Sequence, residues 1–80
     1  MPQAVLEQNS LELPAARVID LRRGATDDAA RRLQESLRSG LAVDQDLNRP
    51  DFYRASIGDA RYYFHVFRRR SRVYLLACRP

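Results

Sequence analysis

Apolar residues recur along this chain at two different periods, and the change between them separates a helix from a run of strands. Between Thr26 and Ser39, Ala30, Leu33 and Leu37 step by three and four, which places them on one stripe of an amphipathic helix. Thr26 is the expected N-cap, and Asp27 and Asp28 suit the positive end of the helix dipole. The pairs Asp27–Arg31, Asp28–Arg32 and Arg31–Glu35 are opposite charges four apart, a pattern of an exposed outer face. Arg38 and Gly40 end the helix with a cation and a glycine.

After Pro50 the period becomes two. Phe52–Ile57, Ala60–Phe67 and Arg72–Cys78 are rich in aromatic and β-branched residues and are separated by Gly58-Asp59 and by Arg68–Ser71. This pattern predicts a three-stranded antiparallel meander. A further short strand is expected over Ala16–Arg22, where Val18 and Ile19 are β-branched and Gly24 closes the segment. Leu41–Pro50 is polar and is expected to be a loop with at most one helical turn, and residues 1–15 a tail or arm. The fold class is therefore α+β, in the order β-α-β-β-β: a small antiparallel sheet on one main helix, forming a single domain over 16–80. Strict alternation puts Tyr62, Phe64, Val66, Val73, Leu75 and Ala77 toward the helix. It leaves Arg61, Tyr63, His65, Phe67, Arg72, Tyr74 and Leu76 on the other face.

Charge sharpens the picture. Every one of the 14 basic residues is Arg. Residues 1–50 carry seven Arg against eight acids, and residues 51–80 carry seven against Asp51 and Asp59, a net +5 concentrated in the strands. That asymmetry suits a polyanion or an acidic protein partner. Arg forks bind phosphate bidentately and stack on bases. The lone Cys78 excludes an internal disulfide, the N-terminus lacks a signal-peptide pattern, and Val73–Cys78 is too short an apolar run to span a bilayer. These features predict a cytoplasmic protein without a membrane partner. One His, one Cys and scattered acids show no metal-ligand spacing, and no glycine-rich phosphate loop is present, so neither metal nor cofactor is expected.

The chemistry therefore concentrates on one sheet face. Arg61, Arg72 and the run Arg68, Arg69, Arg70 can neutralise phosphates. Tyr63, Phe67 and Tyr74 offer rings on which unpaired bases stack. His65 is the single histidine, and imidazole titrates near neutral pH, so it is the candidate proton shuttle. Asp44 and Asp46 are expected turn formers. Two readings stand at this point. One is an RNA-binding surface, with or without cleavage. The other is a non-catalytic interaction module in which the apolar part of the face meets another chain: a homodimer, a regulatory subunit or a phage-type inhibitor.

The run Tyr53-Arg54-Ala55-Ser56-Ile57-Gly58-Asp59-Ala60-Arg61-Tyr62-Tyr63-Phe64-His65-Val66, followed by Val73-Tyr74-Leu75-Leu76-Ala77-Cys78-Arg79, resembles the C-terminal strands of the RelE/ParE toxin superfamily. The resemblance covers about a third of the chain. It implies a toxin that cleaves mRNA on the ribosome without a metal and is held by an antitoxin. By position, Arg54, Arg61 and Arg79 then hold and polarise the scissile phosphate, where cations stabilise developing charge, and His65 or Tyr63 handles protons. One helix stands where the family has an N-terminal pair, Arg68–Arg70 stands where many members have an acidic or Gly turn, and Pro80 stands where the family continues into a Tyr- or His-bearing tail. The resemblance thus extends to a trimmed or inactive relative.

Overall fold

A computed structural model describes residues 9–80, and its elements run β1 (Asn9–Leu11), β2 (Arg17–Asp20), α1 (Ala29–Ser39), β3 (Leu41–Gln45), β4 (Phe52–Ile57), β5 (Ala60–Phe67) and β6 (Arg72–Arg79). Arg68–Arg70 form a single 3-10 turn between the last two strands. The six strands lie in the order β1-β3-β4-β5-β6-β2, all antiparallel except β2, which runs parallel to β6. This is the α+β class expected, with one helix on one face of the sheet.

The helix buries Ala29, Leu33 and Leu37, successive steps of four along one side. They meet the inward residues of the central strands, Tyr53, Ala55, Tyr62, Phe64, Val66, Val73 and Leu75, with Leu11, Leu41 and Val43 at one margin. Leu33, Leu37, Phe64 and Leu75 are fully buried, each contributing about 1.5–3 kcal/mol of apolar transfer. The β4–β5 hairpin turns at Gly58-Asp59, where Gly58 has φ +61°. A positive φ at the first turn position is the II′ pattern, which glycine adopts without strain.

Several local expectations are corrected. The helix starts at Ala29 rather than at Thr26, because Asp27 is already committed: its Oδ1 accepts the Ala29 N–H at 3.1 Å and its carboxylate binds Arg22. Arg31 consequently bridges Asp28 and Glu35 instead of reaching Asp27, and Asp28 pairs with Arg31 rather than Arg32. Leu41–Gln45 is a strand, not a loop: Leu41 and Val43 alternate inward while Ala42 and Asp44 face out. Of the tail or arm expected over 1–15, residues 1–8 lie outside the described residues, and Asn9–Leu11 form the edge strand on β3 with Leu11 in the core.

The largest correction is in β6. Tyr63 opposes Ala77 but Phe64 opposes Leu75, so Leu76 is an extra residue, a β-bulge. Beyond it the alternation reverses. Cys78, not Ala77, faces Tyr62 and packs on the core. Burial, reinforced by Cys78, pushes the Tyr62 hydroxyl above its ordinary titration range. Ala77 and Arg79 turn to the open face, and Leu76 leaves the row assigned to it.

A basic and aromatic open sheet face

The helix covers one face of the sheet, and the strand registers organise the other into four rows. Ser56, Arg61 and Arg79 oppose one another across β4, β5 and β6. The next row is Asp44, Arg54, Tyr63 and Ala77. The third is Phe52, His65, Tyr74 and Ile19. The fourth is Phe67, Arg72 and Arg17, beside the exposed Arg68–Arg70 turn. The face is thus basic at both ends and aromatic between them.

A depression of about 820 Å³ opens over the first two rows. Its origin is a break in strand pairing. The β3–β4 ladder ends at Asp44–Arg54, and among the described residues the first half of β3 pairs only with β1, on its other edge. Ala42 and Ser56, the next positions along, are therefore unpaired with each other, and the two strands diverge around the hollow that both line. Arg54, Arg61 and Arg79 line it from three different strands, and among the described residues none of the three forms an ion pair. Three guanidiniums against the two acids that also line the hollow, Asp44 and Asp46, leave it net positive and favour an anion.

Asp46 and Tyr63 share this depression. The Tyr63 hydroxyl donates to Asp46 Oδ2 at 3.0 Å, and the Asn48 N–H donates to Asp46 Oδ1 at 3.0 Å. The Asn48 N–H foremost, then the Tyr63 hydroxyl and the nearby Arg54 and Arg49 charges, hold the Asp46 carboxyl below the usual carboxylate range. Asp46 does form the turn expected of it, whereas Asp44 lies in strand β3.

The aromatic row is a ladder of rings stacked on one another. Phe52 and His65 are 4.4 Å apart between centroids, His65 and Tyr74 6.2 Å, and His65 and Phe67 6.4 Å, with interplanar angles of 17–23°. Phe52 also stacks on Tyr63 at 5.8 Å, and the Arg49 guanidinium lies 5.4 Å from the Phe52 ring centre. Part of each ring face is thereby used within the ladder. Outer rings and upright edges remain for a ligand, and Phe67 is the most exposed of the set.

The sequence-predicted residues divide accordingly. Arg54, Arg61, Arg79 and Tyr63 come together at one depression. His65, grouped with Arg61 and Arg79 as a catalytic candidate, lies four residues along β5 from Arg61, about 13 Å away at strand rise. Its neighbours are rings rather than the arginine cluster. Arg68, Arg69, Arg70 and Arg72 sit at the opposite end of the face with Tyr74 between the two ends. Arg17 joins that end only because β2 pairs in parallel with β6, a long-range choice with no local signal. The Asp46–Tyr63 contact also joins positions 17 residues apart.

Among the described residues no helix is long and apolar enough to cross a membrane. No protein-family model, curated protein or solved structure matches the chain.

Proposed function

We propose that this chain is a small basic protein that binds single-stranded RNA on the open face of its sheet, RelE-like in setting Arg54, Arg61 and Arg79 on the phosphates. The observation that carries the reading is the convergence of these three arginines, free of ion pairs among the described residues, on one depression beside an aromatic ladder. Phosphates fill the basic hollow, and bases reach toward Phe52, Tyr74 and Phe67. The strand then leaves over Arg72 and Arg68–Arg70. Cleavage of mRNA on the ribosome extends this reading. Arg61 and Arg79 would stabilise charge on phosphorus, and Tyr63, which lines the same depression, is better placed than His65 to handle a proton.

The test is fluorescence anisotropy with labelled heptauridylate. Three phosphate contacts on a single strand predict an affinity loss of about 20-fold between about 50 and 200 mM salt. Binding that ignores salt, or no binding at all, defeats the RNA reading. For the cleavage extension, induced soluble protein must arrest translation and Arg61→Ala must relieve it. Normal growth under strong induction rejects it.

A protein-interaction module is the second reading, and one observation favours it. Leu47, at the tip of the β3–β4 loop beside the depression, is 95% exposed. An apolar partner surface there would bind with little salt dependence.

A further inference from the structure

Building on the RNA reading, we infer that the depression selects guanine: its arginine side takes the phosphate and its acidic side, through Asp44, takes the base.

A hollow built only for phosphate has no use for acids, yet Asp44 and Asp46 line this one together with Arg54, Arg61 and Arg79. The two acids differ in what they have left to offer. Both Asp46 oxygens are engaged, one by the Asn48 N–H and one by the Tyr63 hydroxyl. Asp44 is exposed and accepts no hydrogen bond and forms no ion pair among the described residues, although it lies directly opposite Arg54 in the β3–β4 register. A free carboxylate thus stands on the β3 wall and three free guanidiniums on the β4–β6 side.

A ligand that satisfies both walls carries an anion at one end and N–H donors at the other. A carboxylate presents two acceptor oxygens side by side and is best met by two parallel donors. Among the RNA bases only guanine offers two adjacent donors, N1–H and the 2-amino group, on its Watson–Crick edge. Adenine and cytosine place one amino group beside a ring acceptor, and uracil flanks its single N–H with two carbonyls. Facing a carboxylate, each of those acceptors is repelled. The hollow lies where β3 and β4 part beyond Asp44–Arg54, so an unpaired base has room to enter edge-on. Bases splayed out of a single strand and read on this edge are the usual targets of sequence-specific RNA recognition.

The experiment compares labelled heptauridylate with the same heptamer carrying a central guanosine, adenosine or inosine, on the full chain and on Asp44→Ala. The guanosine heptamer binds at least 10-fold tighter than heptauridylate. Inosine, which keeps N1–H and lacks the 2-amino group, falls between, and adenosine shows no gain. Asp44→Ala abolishes the guanosine preference, read as the ratio of the guanosine-heptamer and heptauridylate affinities on the variant itself. Circular dichroism of the variant must match the parent, and Asp44→Asn serves as the milder substitution. Equal binding of all four heptamers overturns the selectivity and leaves the RNA reading standing. A guanosine preference that survives Asp44→Ala overturns the assignment to Asp44. Failure of every heptamer to bind overturns both.

Discussion

Arg61 and Arg79 oppose each other across β5 and β6 because Leu76 is bulged out of register between them. Were Leu76 paired with Tyr63 instead of bulged, Arg79 would meet Ala60 and fall on the helix side with Val73 and Leu75. Deleting Leu76 removes only the unpaired residue, so Ala77 should still oppose Tyr63 and Arg79 should still oppose Arg61, in a strand of unbroken alternation. The Arg79 guanidinium then stays on the open face, so the deletion should keep heptauridylate binding and the midpoint of urea unfolding close to the parent's. Arg79→Ala should weaken binding while leaving the midpoint nearly unchanged, and should reduce the salt slope by about 0.7, the share of one phosphate on a single strand. A folded deletion variant that loses heptauridylate binding would show that the bulged residue itself, rather than the register it accommodates, sets the arginine pair.

The bulge also marks the limit of what the sequence made legible. Helix α1 could be read because Leu33 and Leu37 repeat at a helical period, and the β4–β5 hairpin because Gly58-Asp59 separates two alternating runs. Strand β6 could be located but not its parity: Val73 to Cys78 is apolar at every position, so nothing in it says where alternation slips. β3 was hidden for the opposite reason, since Asp44, Gln45 and Asp46 make its second half polar and only Leu41 and Val43 carry the strand pattern. The three arginines of the hollow were nameable one by one. The hollow itself arises from where the β3–β4 ladder stops, which is a property of pairing rather than of local sequence.

Tyr63→Phe removes the hydroxyl that donates to Asp46 Oδ2. The Asn48 N–H remains, so the Asp46 carboxyl should titrate nearer the ordinary range without reaching it. Carbon-13 NMR titration of the Asp46 side chain reads this directly. An unchanged titration in the variant would mean that the tyrosine contact is absent in solution.

Arg22 joins β2 to the start of the helix by binding Asp20 at 2.8 Å and Asp27 at 2.6 Å. Its hydrogen bonds hold both carboxyls below their ordinary values, Asp27 falling from 3.8 to about 2. Because these pKa values are lower in the folded chain than in the unfolded one, their stabilisation is complete above the unfolded value and is lost as pH falls toward about 2. Arg22→Ala should lower Tm at neutral pH, and the gap to the parent should close between about pH 4 and pH 2. A gap that stays constant across that range would mean that the two acids do not sense Arg22.

Gln34 on the helix accepts the Val18 N–H of β2 through its side-chain oxygen at 3.0 Å. The N–H groups of Arg17 and Leu21 go to the carbonyls of Ser71 and Leu75, so Val18 points its donor the other way, along the free edge of the sheet. Exposed edges invite pairing with other chains. Gln34→Ala should cost about 0.5–1.5 kcal/mol in urea unfolding. It should also make the chain self-associate with rising concentration in light scattering. A variant that remains monomeric with parental stability would exclude a guarding role for Gln34.

The same contact sets an order of events. β2 is made early in synthesis, yet among the described residues its only strand partner is β6, where Val18 meets Val73. Until Arg72–Leu75 emerge, β2 has no ladder to join. Gln34 is only 16 residues from Val18 and can take up its amide as soon as the helix exists. The parallel seam can therefore close only once Arg72–Leu75 are in place, with Gln34 covering the outer edge of β2.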